Sequence, residues 1–311
     1  MLLPMTNNKT WNMRPDFVPD HISERAIRPL LIAGAHGTLG RALERICHTR
    51  GLVAVAMGRA ELDITSPVSV ENVLDKVRPW AVVNVAGYVR VDAAETDAGQ
   101  CFSENATGPS VLATACAARQ LPFLTFSSDL VFDGEQDEPY TESSKPNPLN
   151  VYGRSKLAAE QRVLAVHPQA LVVRTSAFFS SWDEFNFVHF AVQAARRGEQ
   201  FEAADDVRIS PTFVPDLVNA SLDLLLDDAA GIWHVTNHGS CTWAELARMA
   251  IARAGLSPDL VVPRPMAGFG LAAARPRQSV LVSEKGIVLR SLEHALDQCV
   301  REMEHHPIVA G

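Results

Sequence analysis

No residue type in this chain is dense enough to mark a specialised class of protein. The five cysteines (Cys47, Cys101, Cys116, Cys241 and Cys299) are odd in number and scattered. They lack the paired spacing of a metal site, so neither a disulfide framework nor a cysteine-held metal is expected. They read as reduced thiols, several of them buried, which places the protein in the cytoplasm. No apolar run reaches the roughly 20 residues of a membrane-spanning helix, and the N-terminus has no apolar core followed by a small-residue cleavage site. Lysine and arginine form no dense run, and the formal net charge is -8, which argues against a nucleic-acid partner. Repeats and low-complexity tracts are also missing. What remains is a 311-residue chain with 47% hydrophobic and 21% charged residues, ordinary values for a globular protein.

Residues 1–28 show no sustained period and are expected to be an arm, or a linker from a longer polypeptide. The organised chain starts at Pro29-Leu-Leu-Ile-Ala33, a buried-strand pattern that runs straight into Gly34-Ala-His-Gly-Thr-Leu-Gly40 and then a helix ending at Gly51. Strand, glycine loop and helix in that order make a phosphate-binding turn. Gly34 permits the tight turn, Gly37 admits a pyrophosphate to the backbone, and Gly40 lets helix pack on strand. His36, Thr38 and Leu39 fall within the same turn. A second strand, Leu52–Met57, ends in Gly58-Arg59, where an NAD-preferring site often carries an acid. Arg59 suits a 2′-phosphate, so NADP(H) is favoured and NAD(H) kept open. Asp63 and Ile64 follow in a loop expected near the adenine.

Further strands and helices alternate. Trp80–Ala86 ends in Ala86-Gly87-Tyr88, small residues that could pass beneath a cofactor, and Pro122–Phe126 ends in Ser127-Ser128-Asp129. Five or so strands alternating with helices imply an α/β fold, a Rossmann-type doubly wound parallel sheet. After Ser176 the pattern loosens and reads as a smaller substrate lobe. The expected division is therefore 29–175 for the dinucleotide and 176–311 mainly for substrate, within one domain.

Tyr152-Gly-Arg-Ser-Lys156 opens the helix after a proline-rich loop. Four residues is about one turn, so phenol and ammonium share a face. A cation there should lower the tyrosine pKa from its usual value near 10, giving an acid/base unit. Ser128 would be the hydroxyl that polarises a carbonyl. Together with a nicotinamide these three groups could transfer a hydride and a proton.

These stretches, with Val83-Asn-Val-Ala-Gly-Tyr88, Ser127-Ser-Asp-Leu-Val-Phe-Asp-Gly134, Pro146-Asn-Pro-Leu-Asn-Val-Tyr-Gly-Arg-Ser-Lys156, Arg174-Thr-Ser176 and Arg275-Pro276 with Ser279-Val-Leu281, resemble the dTDP-4-dehydrorhamnose reductase family of extended short-chain dehydrogenase/reductases. The resemblance runs from about Pro29 to the C-terminus. It implies reduction of the 4-keto group of a dTDP-hexose by NADPH or NADH, with Ser128, Tyr152 and Lys156 as catalytic residues and Lys156 also on the nicotinamide ribose. It implies a sugar-nucleotide substrate, with Val91, Asp129, Leu130 and Ala177 at its pocket. Leu130 and Ala177 stand where the family usually has aromatic rings, and Phe178, Phe179 and Trp182 lie close enough in sequence to rebuild a wall. Arg174 and Arg208 are candidates for a substrate phosphate. Two alternatives stay open: a cofactor-bound regulatory or binding module without turnover, and a sugar-nucleotide epimerase or dehydratase that recycles its cofactor. The oligomeric state is open as well, a homodimer included.

Overall fold

Residues 28–305 are described in a computed structural model; the arm expected before Arg28 lies outside them. The first strand, β1 (Leu30–Ala33), is buried along its whole length. Its apolar run without alternation is the mark of a strand covered on both faces. Helix α1 (Thr38–Thr49) follows the glycine loop, then β2 (Ala54–Met57), α2 (Pro67–Val77) and β3 (Ala81–Asn84). Two helical segments, α3 (Ala98–Phe102) and α4 (Gly108–Ala118), are joined through a π-helical turn at Ser103–Thr107. Next come β4 (Phe123–Ser128), α5 (Val151–Val166) and β5 (Leu171–Thr175).

All these strands are parallel, and a sixth, β6 (Gly231–His234), joins beside β5. The sheet order is β6-β5-β4-β3-β1-β2. The order reverses between β1 and β3, and in a doubly wound sheet that reversal opens a ligand crevice at the strands' carboxyl ends. Alternate side chains serve opposite faces. Leu30, Ile32, Val83 and Leu124 pack with Leu39 and Leu43 of α1. Leu31, Val82, Phe123 and Val172 pack with Val70 and Leu74 of α2 and with Leu112 and Cys116 of α4.

Helix α6 (Phe187–Arg196) begins a smaller lobe that also holds α8 (Trp243–Arg253) and α9 (Leu292–His305). Its own core gathers Val188, Val192, Phe213, Leu246 and Leu296. The chain crosses the expected boundary at residue 175, because β6 completes the main sheet and α7 (Val214–Leu226) packs Leu217, Val218 and Leu222 beside α1. The short strand at 232–235 looks like lobe from sequence, since nothing local tells which strand it will pair with. The start of α8 behaves as its sequence suggests: Thr242 and Glu245 form a reciprocal capping box. All five cysteines are buried and free. Among the described residues no helix is long and apolar enough to cross a membrane.

Candidate active site

The glycine loop has the shape a dinucleotide requires. Gly34 sits at φ +109°, and a Cβ there would stand 2.6 Å from the Ala86 nitrogen. At Gly40 a Cβ would come within 2.1 Å of the Gly34 carbonyl oxygen, so α1 can lie this close to the loop only without a side chain. Helix α1 has no side-chain cap at Gly37 and no acid in its first turn. Its N-terminal amides and the positive end of its dipole therefore suit a pyrophosphate. Thr38 belongs to this turn and donates its hydroxyl to Asp183 at 2.6 Å. Leu39 faces the core, leaving its backbone to the loop. His36 is exposed, with its ring lying against Gly58 at the end of β2.

Arg59 is two-thirds exposed and pairs with Glu104 at 2.7 Å. The carboxylate of Asp63 is taken up by its own turn, accepting from the Thr65 amide at 3.0 Å and hydroxyl at 2.7 Å, and these bonds hold its pKa below the usual value. Ile64 is buried beneath Gly108. At the end of β3, a Cβ on Gly87 would meet Asn105 Oδ1 at 2.6 Å and the Lys156 ammonium at 3.9 Å, so Ala86-Gly87 forms a flat approach to the lysine. Asn105 holds both backbone groups of Tyr88, accepting from its N–H at 2.8 Å and donating to its carbonyl at 3.0 Å. It also donates to Ser155 on α5 at 3.0 Å. Sequence reasoning placed Asn105 in a helix and assigned it no task; its contacts are 17 and 50 residues away.

Helix α5 starts where its cap dictates. Asn150 accepts from the Gly153 N–H at 2.7 Å and donates to the Ala274 carbonyl at 2.8 Å. The Val151 N–H donates to Glu95 at 2.7 Å. Gly153 admits the Leu130 carbonyl to a point 2.1 Å from where a Cβ would be. Tyr152 is thus brought against the end of β4 and meets Ser128. The Lys156 ammonium lies 5.8 Å from the Tyr152 ring centroid and donates to the Phe126 carbonyl at 3.1 Å.

The electrostatics differ from the sequence expectation in one respect. Burial, and after it the Asp129 carboxylate, push the Tyr152 phenol well above its ordinary pKa, while a hydrogen bond with Ser128 opposes the shift. Burial pulls Lys156 down to about 8. The lysine is itself desolvated, so its effect does not override the cost of a buried phenolate.

Ser128, Asp129 and Tyr152 open onto a cavity of about 540 Å³, with Val91, Leu130 and Ala177 on its wall. Phe178 and Phe179 line it too, whereas Trp182 packs on the sheet's helical layer with Arg45 stacked on it at 5.0 Å. Neither arginine proposed for a substrate phosphate is there. Arg174 is buried and holds Glu160 with two bonds of 2.8 and 2.7 Å. Arg208 points outward to the Ser240 hydroxyl at 3.1 Å; strand alternation gives the cavity its neighbour Ile209 instead. The arginine that does reach the cavity is Arg275, which pairs with Asp92 at 2.7 Å. It stands in a loop-like stretch with no periodicity to single it out.

A dinucleotide crevice at a strand-order reversal, with a serine, a tyrosine and a lysine beside it, defines an NAD(P)-dependent oxidoreductase of the extended short-chain dehydrogenase/reductase type. The RmlD substrate binding domain model matches residues 28–305, and the chain belongs to that family. It is 35% identical over 251 residues to a dTDP-4-keto-6-deoxy-D-glucose reductase of Streptomyces niveus, covering 81% of this chain and 87% of the relative. A probable dTDP-4,6-dihydroxy-2-methyloxan-3-one 4-ketoreductase of Streptomyces antibioticus is 36% identical over 90% of this chain and 98% of its own length. The crystal structure of dTDP-4-dehydrorhamnose reductase from Bacillus anthracis str. Ames in complex with NADP superposes with a TM-score of 0.84 at 31% identity, over 88% of this chain and 99% of that one.

Proposed function

We propose that this protein reduces the 4-keto group of a dTDP-linked 6-deoxyhexose, with NADPH as the favoured reductant and NADH admitted. The observation that carries this reading is the convergence of Ser128, Tyr152 and Lys156 at the junction of the glycine-loop crevice and the 540 Å³ cavity. The cofactor, when bound, supplies the hydride. Gly34, Gly37 and the first turn of α1 would hold its pyrophosphate, and Ala86-Gly87 and Lys156 its nicotinamide half. Arg59 would meet a 2′-phosphate by leaving Glu104, an exposed pair worth about 0–1 kcal/mol.

Tyr152 is the proton donor. Its raised pKa keeps the phenol protonated at neutral pH, the state a reductase needs before the substrate oxygen gains charge. As that proton leaves, the Lys156 ammonium one turn away stabilises the phenolate. The sugar nucleotide occupies the cavity against Val91, Leu130 and Ala177. The buried free thiols suit a reducing compartment and support a reaction in the cytoplasm.

Replacing Tyr152 by Phe should lower NADPH oxidation with a dTDP-4-keto-6-deoxyhexose by about 10²-fold or more, while NADPH binding, read by fluorescence titration, stays within twofold. Near wild-type turnover in that variant would remove the mechanism. Wild-type protein that retains NAD tightly and oxidises no added NADPH would favour the cofactor-recycling epimerase or dehydratase reading. Binding of NADPH without turnover of any 4-keto sugar nucleotide would favour the regulatory module.

A further inference from the structure

Asp129 has a carboxylate that the reduction described above does not use. It is 6% exposed, and its partners are hydroxyls, with no cation among them. Oδ1 accepts from Ser128 at 2.9 Å. Oδ2 accepts from Ser176 at 2.8 Å and from Ser279 at 2.6 Å. The three serines come from three separate places: the end of β4, the residue after β5, and the C-terminal segment 150 positions on. Burial pushes this carboxyl above its ordinary pKa, against the hydroxyl bonds that pull it down; an acid is unfavourable here, and an amide or an apolar group would fill the same space at lower cost.

The hydrogen-bond capacity of Ser128 sharpens the point. Its Oγ accepts from the Leu130 N–H at 3.1 Å and gives its proton to Asp129. A hydroxyl has one donor and two acceptor positions, so its single proton is committed. With that proton on Asp129, Ser128 has none to give the keto oxygen, and the proton available there is that of Tyr152. The other oxygen of Asp129 ties this arrangement to the lobe. The main chain of Ser279 also donates to the Arg208 carbonyl at 3.0 Å, and its neighbours Arg275 and Pro276 line the substrate cavity.

We propose that Asp129 is a positioning residue for the reduction: through one oxygen it aims Ser128 at Tyr152, and through the other it latches the β5 end and the C-terminal segment to the reacting centre. The charged and titratable groups facing Tyr152 are then Asp129, Cys101 and Lys156. Removal of the Asp129 charge should make the phenol easier to ionise, because after burial that carboxylate opposes its ionisation most.

The proposal rests on the reductase reading, and its test separates the two. Asp129→Asn keeps the size and removes the charge. Its kcat for a dTDP-4-keto-6-deoxyhexose should fall about tenfold or more, the scale of a misaimed catalytic group, with NADPH affinity within twofold and the alkaline limb of the kcat profile moved to lower pH. Tyrosine labelled at Cζ with ¹³C gives a readout without substrate, since the chain has three tyrosines and Tyr152→Phe assigns the signal. The Tyr152 resonance should titrate at lower pH in Asp129→Asn than in wild type, whether or not the sugar is the right one. Ser279→Ala should lower kcat by about threefold, and adding it to Asp129→Asn should have no further effect. A kcat within twofold of wild type in Asp129→Asn, or a lower kcat with pH profile and Tyr152 titration unmoved, overturns the role. Should Asp129→Asn fail to fold, wild-type kcat in both Ser279→Ala and Ser176→Ala overturns it equally.

Discussion

Tyr152 and Lys156 show how much of a residue's chemistry is local and how much is borrowed. Their shared helical face follows from spacing alone. Their protonation does not, because burial pushes the phenol up and the ammonium down, and burial depends on Leu130, Phe126 and the cavity above. Arg59 illustrates the opposite case, a residue whose setting is open enough for its own chemistry to count. Two-thirds exposed, it loses little by leaving Glu104. Arg59→Ala should therefore raise the Kd for NADPH about tenfold, since hydrogen bonds to charged groups contribute about 1.5–3 kcal/mol. The Kd for NADH should move by less than twofold. Equal effects on both cofactors, measured by isothermal titration, would remove Arg59 from the cofactor site.

Among the elements, β6 makes stability depend on pH in the acid range. It brings His234 into the interior, where Nδ1 lies 3.0 Å from the Val282 carbonyl and 3.2 Å from that of Tyr140, and Nε2 lies 3.4 Å from Arg174. Burial, and after it the Arg174 guanidinium, pull the imidazole pKa from 6.5 down to about 4. Between those values the unfolded chain binds a proton that the folded chain refuses. Stability is therefore complete above about pH 6.5 and is lost as the pH falls towards 4, by roughly 3 kcal/mol for a shift of this size. Urea unfolding of wild type across that window should show the decline, and His234→Gln should flatten it. An unchanged slope in the variant would show that other groups govern the acid limb. Helix α5 carries Tyr152 and Lys156, and its start is held from outside by Asn150 on Ala274 and Glu95 on Val151.

At the scale of the whole molecule, the buried Arg174–Glu160 pair joins sheet, helix and loop. Glu160 also accepts from Ser127 at 2.5 Å, and Arg174 stacks over Phe132 at 5.1 Å. Arg174→Leu would strand Glu160 as an unpaired buried charge and should destabilise the fold by about 3–5 kcal/mol. Arg174→Leu with Glu160→Leu should recover a good part of that in chemical denaturation. No recovery in the double variant would mean that the arginine's packing on Phe132 matters more than its charge.

Much of this architecture is legible in the order of residues. The glycine loop between strand and helix, the apolar runs of β1 and β4, the shared face of Tyr152 and Lys156 and the capping box at Thr242 are all short-range patterns. Steric rules and hydrogen-bond geometry read them within one turn or one strand. Arg174 and Arg208 looked alike as phosphate ligands because sequence carries the charge of a side chain and not its neighbours. One is sealed against Glu160 and the other turned to solvent. The lobe boundary blurred for the same reason, since a four-residue strand does not encode its partner.

The sequence by itself determined the sheet-and-helix alternation, the strand–glycine loop–helix turn and the shared helical face of Tyr152 and Lys156, because each rests on contacts a few residues apart. Only the tertiary structure decided that Asp129 gathers serines from positions 128, 176 and 279, that Arg275 and not Arg208 reaches the cavity, and that Tyr152 is held protonated. Those outcomes depend on burial and on groups brought together from separate parts of the chain, which no local pattern records.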